Sequence, residues 1–246
     1  MLDFHSHLIP GVDDGSRNVA MSVAMLDMWR EQGFDYICAT PHFYADVNTP
    51  SRFLEKRFLA YGELMDELNK APGGAKAYPG IFLGAEVHYF RGLSSCEDIN
   101  KLCLQGTNLL LVEMPFHSWS DYMIREINEL SSLGIVPVAA HIERYLSIQT
   151  ESKLNDLLDT GILIQCNAEF FLTFGTRRKA LRMLKEGRIQ FLGSDAHNLT
   201  SRAPNLGDAI KLIEKKLGSD ALSDIRDNED NIIEARRIYF ERGGVA

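Results

Sequence analysis

His5 and His7 stand two residues apart near the start of the chain. In an extended segment, side chains two apart point to the same side, so both imidazoles could reach one ion. More ligand types recur downstream: His42 after Ala39-Thr40-Pro41, Glu86 after Gly84-Ala85, Glu113 after Val112, and His141 after Ala140. Asp195 and His197 share the run Ser194-Asp195-Ala196-His197. Imidazole suits zinc, manganese and iron, whereas carboxylate suits harder cations. The mixed set exceeds what one tetrahedral ion needs. Two or three ions sharing carboxylates is the economical reading, and such clusters turn a shared water into hydroxide near neutral pH. Asp13 and Asp14 follow in a loop bounded by Pro10-Gly11 and Gly15 and could add an oxygen ligand, Asp13 reading rather as a turn former. Arg144 lies three residues after His141, and Arg202 five after His197. Arginine forks match phosphate geometry. Metals plus two arginines point to phosphoester hydrolysis.

These residues need a scaffold that brings them together. Strand candidates are Leu2–His5, Tyr36–Thr40, Ile81–Glu86, Asn108–Met114, Val136–His141, Ile162–Asn167 and Gln190–Ser194. Most are near-continuous apolar runs, as parallel strands covered on both faces require. Helix candidates fall between them, at Val19–Glu31, Phe53–Lys70, Tyr122–Leu133, Glu151–Asp159 and Arg177–Glu186. After the last strand come Asn205–Leu217, Asp220–Asp227 and Asn231–Phe240. Uninterrupted β–α repetition predicts one barrel-like or doubly wound α/β domain. In α/β barrels the C-terminal strand ends converge on one face. The ligand types fall at those ends.

Each residue by itself has a bland reading. His-x-His is often a surface pair, and Glu86 or Arg202 could be an ordinary solvated charge. His88 and His117 read as solvated or locally hydrogen-bonded loop residues, with His117 near the rim. Tyr145 and Phe43 read as packing residues. Joint placement decides for the main set, because five of the seven histidines fall at the ends of strand candidates.

The composition agrees. Hydrophobic residues are 45% and charged residues 24% of 246, ordinary for a globular chain and unlike a disordered or disulfide-stapled one. The formal net charge of −8 argues against a nucleic-acid binder that grips phosphates electrostatically. Carboxylates gathered around cations would contribute to that deficit. Cys38 and Cys166 sit in apolar runs, and no Cys-x-x-Cys pair occurs, so a reducing, cytoplasmic compartment fits. The N-terminal run predicts no signal peptide, and no apolar stretch is long enough for membrane insertion. Phosphate-binding Gly-rich loops, a Gly-x-Ser-x-Gly elbow and the cysteine-phosphatase spacing are missing.

Six motifs carry a family resemblance: Asp3-x-His5-x-His7-x-x-Pro10-Gly11-x-Asp13-Asp14-Gly15, Ala39-Thr40-Pro41-His42, Gly84-Ala85-Glu86, Val112-Glu113, Ala140-His141-x-Glu143-Arg144-Tyr145, and Ser194-Asp195-Ala196-His197-Asn198. Together they resemble the polymerase-and-histidinol-phosphatase (PHP) superfamily, in its order, from Met1 to about Leu206. Within it, the Pro10–Gly15 loop and the Ala140–Tyr145 motif look most like the bacterial capsule and exopolysaccharide tyrosine phosphatases. The resemblance implies a distorted (β/α)7, TIM-like barrel with extra C-terminal helices, residues 1–246 forming one phosphatase domain. It implies two or three divalent ions, manganese foremost, with iron or zinc as alternatives. The implied ligands are His5, His7, Asp14, His42, Glu86, Glu113, His141, Asp195 and His197, with Arg144 and Arg202 on phosphate. The implied substrate is phosphotyrosine on the tail of a bacterial tyrosine kinase that controls polysaccharide assembly. Ile142 stands where the family often has Pro, Phe43 where it often has a second His, and Glu169-Phe170 where it often has Gly-Ser.

The expected reaction is in-line attack on phosphorus, with Arg144 and Arg202 holding the equatorial oxygens. A phenolate leaves more readily than an alkoxide, so it needs less help from an acid. His42 and a metal-bound water are the candidate acids. The alternatives are a histidinol-phosphatase or other small-molecule phosphoesterase on the same fold, and a non-enzymatic regulator of polysaccharide export. The sequence leaves oligomeric state open, a homo-oligomer included.

Overall fold

Apolar, β-branched runs form nine strands, and longer amphipathic runs form eight helices, over the described residues 1–244 of a computed structural model. The strands are β1 (Leu2–Ser6), β2 (Tyr36–Ala39), β3 (His42–Phe43), β4 (Gly80–Leu83), β5 (Glu86–His88), β6 (Leu109–Glu113), β7 (Val136–Ala139), β8 (Leu163–Asn167) and β9 (Phe191–Gly193). The helices are α1 (Val19–Glu31), α2 (Pro50–Lys70), α3 (Asp121–Ser132), α4 (Glu151–Leu158), α5 (Ala168–Leu172), α6 (Phe174–Lys185), α7 (Leu206–Leu217) and α8 (Ser223–Glu241). Every strand pair is parallel, in the orders β1-β2-β4 and β3-β5-β6-β7-β8-β9. The result is an α/β fold on a curled parallel sheet. A bridge from Ser6 to Ala196 brings the segment after β9 back against β1.

Two expected strands are each divided. The run Tyr36–Thr40 ends at Ala39 and resumes as β3, because Pro41 has no N–H to give to a ladder. The run Ile81–Glu86 divides into β4 and β5 at Gly84, where a Cβ would stand 3.2 Å from the Thr40 methyl. At this break β3 and β5 leave the first sheet and continue into the second.

Helix boundaries follow local chemistry. Asn18, Thr49, Ser120 and Thr150 each accept a backbone N–H at the start of α1, α2, α3 and α4. Thr49 followed by Pro50 starts α2 three residues ahead of the expected Phe53. Asp220–Asp227 and Asn231–Phe240 are not separate helices. No Gly or Pro interrupts 223–241, so α8 runs through both. The short α5 was not expected, and α6 begins at Phe174 rather than Arg177.

One apolar cluster joins Leu2, Phe4, Cys38, Phe82, Leu111, Val138, Ala140 and Phe191, from strands that are not all neighbours. It therefore fills the inside of the curl. Ile232 of α8 belongs to it. Around it α8 is held by Arg236, which donates to Ile81 O at 2.7 Å and stacks over Phe82, and by Asn228, which donates to Gln190 O at 3.1 Å. These partners lie at the N-terminal ends of strands, so α8 covers the end opposite the ligand-bearing one. The larger cluster lies between sheet and outer helices, with Trp29 and Phe43 fully buried. Cys38 and Cys166 are buried free thiols, as expected. Among the described residues no helix is long and apolar enough to cross a membrane.

Glu229 of α8 accepts the Leu2 N–H at 3.1 Å, and burial raises its carboxyl to about 7 despite the nearby N-terminus. A raised folded-state value means the fold holds a proton that the unfolded chain releases. Its effect on stability is a loss as pH rises from 4.5 to about 7, level thereafter. Glu229→Gln keeps an acceptor and removes the charge. Thermal unfolding at pH 5 and pH 8 is expected to show a smaller drop between the two for the variant than for the parent chain.

Candidate functional site

The bend in β1 sets the first donors. Asp3 pairs with Ile37 and Ser6 with Ala39, so β1 carries one extra residue. This bulge lets Phe4 enter the interior cluster while the next residue, His5, joins the site. Bulges re-aim side chains in this way beside functional sites. His42 and Glu86 are register partners on β3 and β5, and so are His88 and Glu113 on β5 and β6. Thus His42 and Glu86 open short strands after the break, rather than ending longer ones. His141 follows β7 in a left-handed conformation (φ 32), and Asp195 follows β9 in another (φ 53). Non-glycine residues rarely take this conformation, and the cases that persist cluster at functional sites.

All nine sequence-derived donors and both arginines lie in one region. His5 Nε2 is 3.2 Å from both His7 Nε2 and Glu86 Oε2. His7 Nε2 is 3.3 Å from Asp195 Oδ1. His42 Nδ1 is 3.0 Å from Glu86 Oε2, and its Nε2 is 3.7 Å from Asp14 Oδ1. His197 Nε2 is 3.5 Å from the same Asp14 oxygen. His141 Nε2 is 2.8 Å from Glu86 Oε1 and 3.4 Å from Glu113 Oε1. Three sets have donor atoms within 4.8 Å of one another: His7, Asp14, His42 and His197; His5, His7 and Glu86; His42, Glu86 and Glu113. His7, His42 and Glu86 are each shared between two sets.

The donor chemistry fits divalent cations. His42 Nδ1, Glu86 Oε2, His141 Nδ1 and His197 Nε2 are buried without a hydrogen bond. Such atoms are rare in folded proteins unless something else satisfies them. His42 Nδ1 and Glu86 Oε2 are close in space yet neither forms an aligned bond, as expected for two donors aimed at a third partner. Asp14 is the exposed member, at the mouth, with 69% of its side chain accessible.

The electrostatics are those of a crowded buried cluster. Burial opposes charge on Glu86 and Asp195, yet His5 and the other site histidines hold both carboxyls well below the ordinary range. Glu113, against burial, is held at about 2 by His141 and His88. Burial resists a charge on His141, but Glu113 and Glu86 outweigh it and raise the imidazole to about 9. Burial and the neighbouring His7 lower His197 to about 4. Asp195 Oδ2 receives three donors: Arg144, Arg202 at 2.7 Å and Asn167 Nδ2 at 2.9 Å. Both arginines keep more than a third of their side chains exposed, so they face outward from Asp195.

A further set of residues holds the donors in place. Asp13 accepts from His7 Nδ1 at 2.6 Å, from His42 N at 2.8 Å and from Gly15 N at 3.0 Å. It does turn the loop as expected, and it also orients His7, a role with no signal in the sequence. At Gly15 a Cβ would stand 2.3 Å from the His7 Cβ, so the loop closes on His7 only because this residue has none. Gln165 Oε1 lies 3.2 Å from His5 Nδ1 and accepts from His141 N at 2.7 Å. Asp3 accepts from Trp29 Nε1, Ser194 N and His5 N, tying α1 and the Asp195 loop to β1. His88 is on β5, not in a loop, and its Nδ1 is 2.9 Å from Glu113 Oε2. The alternation of types in Glu86-Val87-His88 was the available signal for it. The His117 ring bonds to the neighbouring Ser118 O at 3.0 Å and belongs to none of the donor sets. Tyr145 and Phe43 are fully buried packing residues. A cavity of about 340 Å³ lies elsewhere, between α4 and α6, and contains none of the eleven site residues.

The chain resembles known proteins over most of its length. The family model for capsular polysaccharide synthesis, CpsB/CapC, matches residues 1–234. The tyrosine-protein phosphatase YwqE of Bacillus subtilis is 30% identical over 97% of this chain and 94% of its own length. The tyrosine-protein phosphatase CpsB of Streptococcus pneumoniae is 31% identical over 89% of this chain and 92% of its own length. The crystal structures of YwqE and CpsB, described as unique metal-dependent tyrosine phosphatases, include a chain that superposes with a TM-score of 0.76 at 27% identity, covering 96% of this chain and 94% of that one.

Replacing Asp13 with Ala removes the carboxylate that orients His7 and leaves three N–H groups short of their acceptor. Changes of this kind typically weaken metal affinity about 10- to 100-fold. Titration of the metal-free variant with Mn²⁺ in a calorimeter is expected to show a loss of that size.

Proposed function

The chain belongs to the capsular polysaccharide synthesis CpsB/CapC family, and we propose that it is a metal-dependent protein-tyrosine phosphatase. The observation that carries this reading is the pairing, on the one residue Asp195, of a buried histidine–carboxylate cluster with two half-exposed arginines. We read the curled sheet as a distorted (β/α)7 barrel, the two divided strands each counting once, in one domain over residues 1–246. The proposed ligands are His5, His7, Asp14, His42, Glu86, Glu113, His141, Asp195 and His197. Three sets of mutually close donors support two or three ions, with manganese the first candidate for a mixed imidazole–carboxylate site.

Bound divalent ions would supply a nucleophile near neutral pH and counter-charge for the phosphate. The protein's own groups do the rest. Arg144 and Arg202 present guanidinium groups whose far edges meet the equatorial phosphate oxygens and stabilise charge as it redistributes. Asp195 anchors both through one oxygen, which fixes the distance between phosphate and cluster. Asn167 takes part of the load on that oxygen. His42 has both ring nitrogens facing site carboxylates, which favours holding a cation over delivering a proton. A phenolate leaving group has little need of that proton. The proposed substrate is phosphotyrosine on the tail of a bacterial tyrosine kinase that controls capsule or exopolysaccharide assembly, in the cytoplasm.

Phosphate release from a phosphotyrosyl peptide and from histidinol phosphate tests the reading. Manganese-loaded protein is expected to favour the peptide, and a chelator is expected to abolish release. Preference for histidinol phosphate would move the protein to the small-molecule branch with the same site. Arg144→Ala is expected to lower kcat/KM about 100-fold, the effect of losing one preorganised donor. Metal content of that variant, read by emission spectrometry, should be unchanged. Normal turnover would remove Arg144 from the mechanism.

A further inference from the structure

Several large apolar side chains are exposed, among them Phe58 and Leu59 on α2 and Phe174 at the start of α6. Phe116 differs. It follows β6, three residues after Glu113, and 51% of its surface is open. Its ring lies almost parallel to that of His141, at 14° and 6.3 Å between centroids. Behind it stands the buried Tyr145 ring at 5.3 Å, and behind that Trp119 at 5.2 Å. The loop that presents Phe116 is pinned. Trp119 Nε1 donates to Pro115 O at 3.0 Å, Gln149 Nε2 donates to His117 O at 2.7 Å, and Gln149 Oε1 accepts from Trp119 N at 3.0 Å. An exposed aromatic on a mobile loop would carry no message. One that is backed by two aromatic rings, held by three hydrogen bonds and laid beside a site histidine is a fixed apolar platform.

Its position relative to the phosphate groups is set by one turn. Residues Ile142–Tyr145 form a single 3-10 turn directly after His141. That turn sends Arg144 toward Asp195 and Tyr145 inward beneath Phe116. The phosphate anchor and the aromatic backing are therefore fixed together, four residues deep.

We propose that Phe116 forms an aryl subsite, taking the ring of an aromatic phosphate monoester while Arg144 and Arg202 take its phosphate. This rests on the phosphatase reading above and adds the residue that selects an aryl over an alkyl ester. Ring–ring contact with a well-placed aromatic adds roughly a tenfold preference beyond simple burial. A serine- or threonine-type phosphate presents no ring and leaves the platform uncovered.

Phosphonates separate recognition from turnover, since they are not hydrolysed. Phenylphosphonate and methylphosphonate would be titrated into the manganese-loaded protein, and into Phe116→Ala and Phe116→Trp. Phe116 is half exposed, so the fold of either variant is expected to persist, and its unfolding temperature checks this. The parent chain should bind the phenyl compound about tenfold more tightly than the methyl one. In Phe116→Ala that ratio should fall toward one, and in Phe116→Trp it should be kept. In parallel, the loss of kcat/KM for a phosphotyrosyl peptide in Phe116→Ala should exceed the loss for glycerol phosphate by a similar factor. A ratio near one in the parent chain, or one unchanged in Phe116→Ala, overturns the subsite. Failure of the parent chain to hydrolyse any monoester would overturn the phosphatase reading instead, and the phosphonate ratio would still report on the platform.

Discussion

Three carboxylates, Glu86, Glu113 and Asp195, are buried within a few ångströms of one another and of six histidines. Burying unpaired charge is among the costliest acts in folding. Everything around the site answers that constraint. The histidines interleave with the carboxylates, so each carboxylate has an imidazole nitrogen near it that can carry a proton. The arginines complete the balance on the outer side of Asp195. The net effect is a site that attracts positive charge at its centre and offers positive charge at its rim. An anion with a cation behind it is what such a field selects.

Geometry of this kind is not supplied by strands of ideal shape. It depends on departures from regularity: a bulge in β1, Pro41 and Gly84 dividing two strands, and left-handed backbone at His141 and Asp195. Each departure sits within two residues of a donor. The surrounding regular structure absorbs them through specific bonds, above all those of Asp3, Asp13 and Gln165. These three residues belong to no donor set, yet they connect four separate stretches of chain to the cluster. The sheet supplies stability, and its flaws supply aim.

Much of this was legible in the residues. Ligand types recurring after apolar runs located nearly the whole cluster, because a buried polar residue at a strand end has few other uses. Residues whose role depends on their neighbours were harder to see. Asp13 looked like a turn former because a Pro-Gly…Gly loop explains an Asp without any further duty. His88 reads as a loop residue in the sequence because the division of Ile81–Glu86 at Gly84 is a tertiary event. Phe116 had no signal, since an aromatic after Pro115 is ordinary until its backing rings are known. The single α8 is hidden by a polar stretch, Asp227–Asp230, in which Asn228 and Glu229 bond to the strand ends without breaking the helix.

The bridge between Ser6 and Ala196 joins residues 190 positions apart in the sequence. His5 and His7 leave the ribosome well before Asp195 and His197. No subset of the first strands can assemble the shared set around Asp14, which needs His197. Contacts so distant in sequence form late, after the local helices and neighbouring strand pairs. During synthesis the paired histidines near the N-terminus are therefore without their carboxylate partners from the far end. Of the three donor sets, only the one around Asp14 waits for the far end of the sheet, while the other two draw on residues 5 to 113 alone.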